Sequence, residues 1–237
     1  MSAKPKTRVK ICGIRSPEEI ELAASYGADA VGFITEVPVE SPRKLDSETA
    51  ASLVSEVPGY LKSVLVIMPE NSADALELIQ KVNPDIVQIH SMLSLPEFEK
   101  IREKTDTPII KSLSLPALDE TEKDAENSII VSILLEQIST LEEADIVDSI
   151  LLDTGKAGKP GGTGCVHDWA LSGQIARETR LPLILAGGLK PENVREAIKI
   201  VSPYAVDTAS GVETSGKKDF VKIKKFIEEV RRANAFL

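Results

Sequence analysis

Among the side chains that can move protons, a cysteine and an aspartate each close a short apolar run. Cys12 ends "RVKIC" and is followed at once by Gly13; Asp153 ends the apolar run of "SILLDT". A packing argument alone would favour Val, Ile or Leu at position 12, so the Cys-Gly pair reads as placed for access as much as for burial. A thiol and a carboxyl flanking one ligand form a proton-transfer pair. The same residues have plainer readings: a small core residue for the cysteine and a loop cap for the aspartate. Two glycine-bearing turns form a second group. Gly187 and Gly188 in "AGG", and Ser210 and Gly211 in "ASG", each follow a late apolar run. Glycine lets backbone N–H groups approach an anion closely, and a serine adds a hydroxyl. These turns point to a phosphate, although glycines also serve simple tight turns. Arg43 in "SPR", His90 ending "DIVQIH" and Asp207 before "TASG" complete the candidates.

These residues need elements to position them, and the chain alternates strand-like and helix-like segments from end to end. "RVKIC" precedes "SPEEIELAASYGA", where Ser16 is the expected N-cap and Pro17 the first helical residue. "DAVGFI", "LKSVLVIM", "DIVQIH", "PIIKSLSL", "SILLDT", "PLILAGG" and "YAVDTASG" follow, each with an amphipathic segment behind it. The runs are nearly continuous in apolar residues, as in parallel strands buried on both faces. Eight strand-helix units in 237 residues fit an α/β fold of the (β/α)8 TIM-barrel type, as a single domain over 1–237. A doubly wound open sheet is the alternative, but no G-x-G-x-x-G follows the first strand. The stretch between Pro116 and Ser149 is the least regular. "ALDETEKDAEN" reads as an exposed loop or frayed helix start, and "SIIVSILL" as the fifth helix or, with its β-branched residues, a stray strand.

A barrel carries its active site where the strands end, at their carboxyl termini. That filter alone selects Cys12, the loop carrying Arg43, His90, Asp153, Gly187, Gly188, and Asp207 through Gly211. Strands 1 and 6 should bring Cys12 and Asp153 face to face across the mouth. Phosphate is often held by the loops after strands 7 and 8 with a short helix N-terminus, where the two glycine turns fall.

Composition narrows the partners. Hydrophobic residues make up 42% and charged residues 27%, as in ordinary globular proteins. With 37 acidic and 28 basic residues the net charge is −9, which argues against general affinity for nucleic acid or an anionic membrane. No apolar window is long enough for a membrane span and no signal peptide opens the chain, so a cytoplasmic location is expected. Two cysteines and two histidines show no disulfide framework and no metal-ligand spacing, so no metal is expected.

The ordered motifs "KICGI", "GADAVGF", "SPR", "VQIH", "ILLDT", "GGTG", "AGGLKPENV" and "AVDTASGVE" closely resemble the phosphoribosylanthranilate isomerases of tryptophan biosynthesis. The resemblance spans nearly the whole chain. It implies a TIM barrel that carries out an Amadori rearrangement, aminoaldose to aminoketose, without a cofactor. It implies Asp153 as general acid on the ribose ring oxygen and Cys12 as general base at carbon 2. Arg43 would hold the anthranilate carboxylate, and Gly187, Gly188, Ser210 and Gly211 the phosphate. Asp207 would sit near the ribose hydroxyls, and His90 would line the pocket. An unperturbed Asp titrates near ~3.9 and a Cys near ~8.5. An apolar mouth should therefore raise Asp153, and Cys12 needs a nearby donor or positive field.

Some features depart from the family pattern. Ser91, not Gly, follows His90, and the segment between strands 5 and 6 is long. Cys165 lies in the loop after strand 6, where oxidation against Cys12 would consume the base. His167 precedes Asp168, the expected N-cap of helix 6, and reads as a surface residue. A homodimer or a complex with a pathway enzyme is compatible with the family. Two other functions stay open: an aminoribosyl isomerase of histidine biosynthesis, which would use two aspartates, and a catalytically silent phosphate-binding barrel.

Overall fold

Each apolar run becomes a strand and each amphipathic segment a helix in the computed structural model, which describes residues 6–117, 124–155 and 166–235. In chain order the elements are β1 (Arg8–Cys12), α1 (Pro17–Tyr26), β2 (Ala30–Thr35), α2 (Ser47–Ser55), β3 (Lys62–Ile67), α3 (Ser72–Val82), β4 (Ile86–Ile89), α4 (Leu95–Arg102), β5 (Ile109–Pro116), α5 (Asp124–Ala144), β6 (Ser149–Gly155), α6 (Trp169–Glu178), β7 (Leu183–Leu185), α7 (Val194–Val201), β8 (Ala205–Thr208) and α8 (Phe220–Asn234). Around the sheet the strands run β1, β8, β7, β6, β5, β4, β3, β2, and β1 also pairs with β2. That order has no switch point and closes on itself, so the fold is a (β/α)8 barrel and the open doubly wound sheet is excluded.

The chain clusters into two compact units, one of Lys10–Ser112 with Ile146–Asp148 and the other of Met1–Val9, Leu113–Asp145 and Ser149–Leu237. In the first, β2 is central, pairing with β1 in the register Lys10–Ala30, Ile11–Val31, Cys12–Gly32 and with β3 over five residues. Phe33, Leu65, Ile67, Val87, Ile89 and Ile109 are fully buried there. Helix starts follow the sequence signals. The Ser16 side chain accepts from the Glu19 N–H, and Gly27 closes α1 at φ 84°, a left-handed conformation that costs glycine little. At the opposite end of the strands, Asp85 accepts from the Ser63 N–H at 2.9 Å and the Lys62 ammonium at 2.9 Å.

In the second unit Thr7 is tied to the last helix. Asn234 at the end of α8 accepts from the Thr7 N–H at 2.9 Å and donates to the Thr7 carbonyl at 3.0 Å. Helix α5 resolves the ambiguous stretch. Val131, Leu134, Ile138 and Leu141 recur at helical spacing and are buried, so packing of one face overrides the strand preference of the β-branched residues. Ile129 and Ile133 lie on its exposed side. The acidic stretch before Asp124 falls mostly outside the described residues, as do the Gly-rich loop 156–165 and Cys165. No helix among the described residues is long and apolar enough to cross a membrane.

Candidate active site

Cys12 is the last residue of β1, and the residue is buried, at 6% exposure. The sequence read it as placed for access, and this burial corrects the degree of that access. Gly13 turns the chain away at φ 77°, and its N–H donates to the Gly32 carbonyl at 2.8 Å. A Cβ at position 13 would overlap the side chain of Arg43. Glycine behind the cysteine is therefore needed twice: for the left-handed turn and to let Arg43 lie across the strand end. Gly32 opposes Cys12 in the sheet register, and a Cβ there would stand 2.8 Å from the Cys12 Sγ and 3.2 Å from the Lys10 Nζ. Lys10 and Cys12 are two apart on one strand, so they share a face, and the absent side chain of Gly32 gives both room.

His90 follows β4 in the same unit. Its Nε2 is 2.5 Å from the Gln88 Nε2, so the amide donates and the ring accepts. Burial, then the charges of Lys10 and Lys111, hold the imidazole well below its ordinary value, at about 3. The ring is neutral at working pH. Lys111, on β5, is buried and pushed down to about 8 by desolvation, and its ammonium donates to the Ser91 carbonyl at 2.8 Å. Ser91 thus serves through its main chain, while its buried hydroxyl has no protein partner.

The second unit carries the other candidates. Asp153 is half-buried, near the end of β6, and its carboxylate accepts from the Thr154 N–H at 2.8 Å. Gly187 and Gly188 follow β7 at φ 83° and 62°. A Cβ on Gly187 would strike the Thr154 hydroxyl and stand 2.7 Å from its nitrogen, so the β7 turn lies directly on the residue after Asp153. Asn193 holds this turn by donating to the Gly188 carbonyl at 3.0 Å and accepting from the Lys190 N–H at 2.8 Å. Asp207 is buried in β8, and Ser210 and Gly211 begin a single 3₁₀ turn, Ser210–Val212. A Cβ on Gly211 would collide with the Leu189 carbonyl, which also accepts from the Thr208 hydroxyl at 2.8 Å. The two glycine turns are thereby locked to each other.

Cys12, Arg43 and His90 thus belong to the first unit, and Asp153, Gly187, Gly188, Asp207, Ser210 and Gly211 to the second. Sequence reasoning missed Lys10 and Lys111, although a lysine alternating with Cys12 in an otherwise apolar strand was a visible signal. It also misplaced His167. That ring is 1% exposed, with Nδ1 at 2.8 Å from the Thr154 hydroxyl and Nε2 at 2.6 Å from the Ser172 hydroxyl. Burial holds it near 4, so it is a neutral internal strut rather than a surface residue. Asp168 caps α6 as expected, accepting from the Ala170 N–H at 2.8 Å. No group of three or more His, Cys, Asp or Glu among the described residues could hold a metal ion.

A family profile described as N-(5'phosphoribosyl)anthranilate (PRA) isomerase matches residues 9–229. An N-(5'-phosphoribosyl)anthranilate isomerase of Methanosarcina acetivorans is 72% identical over 98% of this chain and 96% of its own. The phosphoribosyl anthranilate isomerase of Thermotoga maritima shares the fold at TM-score 0.78 and 33% identity, over 95% of this chain and 99% of that one. A related structure, at TM-score 0.74, 33% identity and the same coverage, is a phosphoribosyl anthranilate isomerase in complex with reduced 1-(o-carboxyphenylamino)-1-deoxyribulose 5-phosphate. With a match that runs from β1 into α8 and takes in every strand end described above, the chain belongs to the N-(5'-phosphoribosyl)anthranilate isomerase family.

Proposed function

We propose that this chain converts N-(5-phosphoribosyl)anthranilate to 1-(2-carboxyphenylamino)-1-deoxy-D-ribulose 5-phosphate, the Amadori step of tryptophan biosynthesis. One observation carries the reading: the family match covers residues 9–229, and within it a thiol and a carboxyl stand at or beside the ends of β1 and β6. Asp153 is the general acid. It gives a proton to the ribose ring oxygen, the bond from that oxygen to carbon 1 breaks, and nitrogen lone-pair donation leaves an iminium. Cys12 as thiolate then takes the proton from carbon 2, and the electron pair of that bond neutralises the iminium to an enolamine. Tautomerisation puts a proton on carbon 1 and leaves the ketone at carbon 2, so the product is an isomer and no external oxidant or reductant is needed.

Arg43 suits the anthranilate carboxylate, since a guanidinium fork makes two-point contacts with it. The glycine turns after β7 and β8 suit the phosphate. Asp207 and His90 take the ribose side; the neutral His90 ring offers hydrogen bonds without charge. The two-aspartate chemistry of the aminoribosyl isomerases is disfavoured by a cysteine at the end of β1. The same reading treats 1–237 as one functional domain and the protein as a cofactor-independent cytoplasmic enzyme. It self-associates as a homodimer or binds a pathway enzyme, and sedimentation of the purified chain separates these.

The test is turnover of N-(5-phosphoribosyl)anthranilate, generated in situ, by wild type, Cys12→Ala and Asp153→Asn. Wild-type conversion that collapses in both variants while the ligand still binds supports the assignment. Binding without conversion by the wild type would replace it with the silent phosphate-binding barrel.

A further inference from the structure

We propose that Lys10 is the positioning residue of the catalytic base, its ammonium serving as the counter-charge of the Cys12 thiolate. The inference rests on the reading of Cys12 as base and adds a residue which that reading does not contain. A thiol near its ordinary ionisation is mostly protonated at neutral pH, and only the thiolate can take a proton from carbon. Something must favour the charged form at this buried residue, because burial by itself acts the other way.

Lys10 meets the geometric requirement. It lies two residues before Cys12 on β1 and is buried at 3% exposure. Its ammonium and the thiol both border the space that a side chain on Gly32 would fill, at 3.2 and 2.8 Å from the same point. Their separation is thus bounded at about 6 Å, within the range over which an opposite charge favours the ionised form. Low exposure keeps water from screening the pair.

The other ionisable groups fit this arrangement. His90, after β4, is neutral and supplies no charge. Lys111 on β5, which acts on His90 together with Lys10, and Arg43 after β2 carry the same sign as Lys10. The lysine of β3, Lys62, is bound at 2.9 Å to Asp85 at the other end of the strand. Lys10 is the buried cation on the cysteine's own strand and face; Arg8, on that face at the start of β1, is exposed and lies over the Tyr204 ring at 4.3 Å.

Alkylation of Cys12 by iodoacetamide, followed peptide by peptide by mass spectrometry so that Cys165 does not interfere, tests the inference without reference to catalysis. In the wild type the rate should rise with a midpoint below the ~8.5 of an ordinary thiol. In Lys10→Met and Lys10→Gln the midpoint should move up by about one unit or more, making alkylation at pH 7 about tenfold slower. The acid limb of kcat/KM should move with it, and Lys10→Arg should restore both. A purely structural role for Lys10 would not move the midpoint. A wild-type midpoint at or above the ordinary value overturns the proposal even where the variants fail to fold, as does an unmoved midpoint in a folded Lys10→Met. Full activity of Cys12→Ala would instead overturn the base assignment, and the alkylation profile would still report whether Lys10 and Cys12 are coupled.

Discussion

Replacing Lys218 with methionine removes one half of a buried ion pair beside the turn proposed to hold the phosphate. The Lys218 and Glu213 side chains are 0% and 5% exposed, and their charged atoms are 2.8 Å apart. The same ammonium donates to the Ala209 carbonyl at 3.0 Å, one residue before Ser210. Lys218→Met leaves the Glu213 carboxylate buried without its principal counter-charge, which should cost about 3–5 kcal/mol. For a chain of this size each kcal/mol lowers the melting temperature by about 2–4 °C, so a drop of roughly 6–20 °C is expected. The Ala209 carbonyl also loses its donor, which loosens the turn that presents Ser210 and Gly211. KM for the phosphorylated substrate should therefore rise more than kcat falls. The double variant Lys218→Met/Glu213→Leu removes both charges and should recover most of the lost stability, while the KM defect remains. Urea denaturation of both variants, with steady-state kinetics, reads all three quantities. A single-variant cost below about 1 kcal/mol, or a double variant no more stable than the single one, would show that the pair is not energetically buried and would refute the reasoning.

Three further outcomes follow from the same geometry. His167 is held near 4 by burial, below the 6.5 of an ordinary histidine, so the unfolded chain binds a proton that the native state refuses. Its contribution is complete above pH 6.5 and is lost as pH falls toward 4; between pH 7 and 5 the wild type should lose about 2 kcal/mol more than His167→Gln in denaturant titrations. Gly32→Ala places a methyl 2.8 Å from the Cys12 thiol. It should cost about 1–3 kcal/mol in stability and roughly 10–100-fold in kcat/KM, and wild-type kinetics in this variant would contradict the placement of Cys12. Gly211→Ala drives a Cβ into the Leu189 carbonyl, a backbone atom that cannot swing aside. The two glycine turns should separate, and inorganic phosphate, used as a competitive inhibitor, should bind at least about tenfold more weakly.

Local signals in the chain determined most of the architecture. Continuous apolar runs and capped amphipathic segments dictate eight strand-helix units, because a parallel strand buried on both faces has no polar face to alternate. The positions of Cys12, Asp153 and the two glycine turns at strand ends were equally legible, since strand ends are marked by where the apolar run stops. Tertiary structure alone decided what those residues touch. Gly32 opens the space shared by Lys10 and Cys12 only because β1 and β2 pair in the register Cys12–Gly32. His167 follows a glycine-rich stretch and looks exposed, yet Thr154 and Ser172, 13 residues before and 5 after, supply its two hydrogen bonds. Nothing in the charged "GKKD" marks one lysine as internal, yet the Lys218 side chain turns inward to Glu213. In each case the deciding energy comes from a partner beyond the local window, and periodicity carries no record of it.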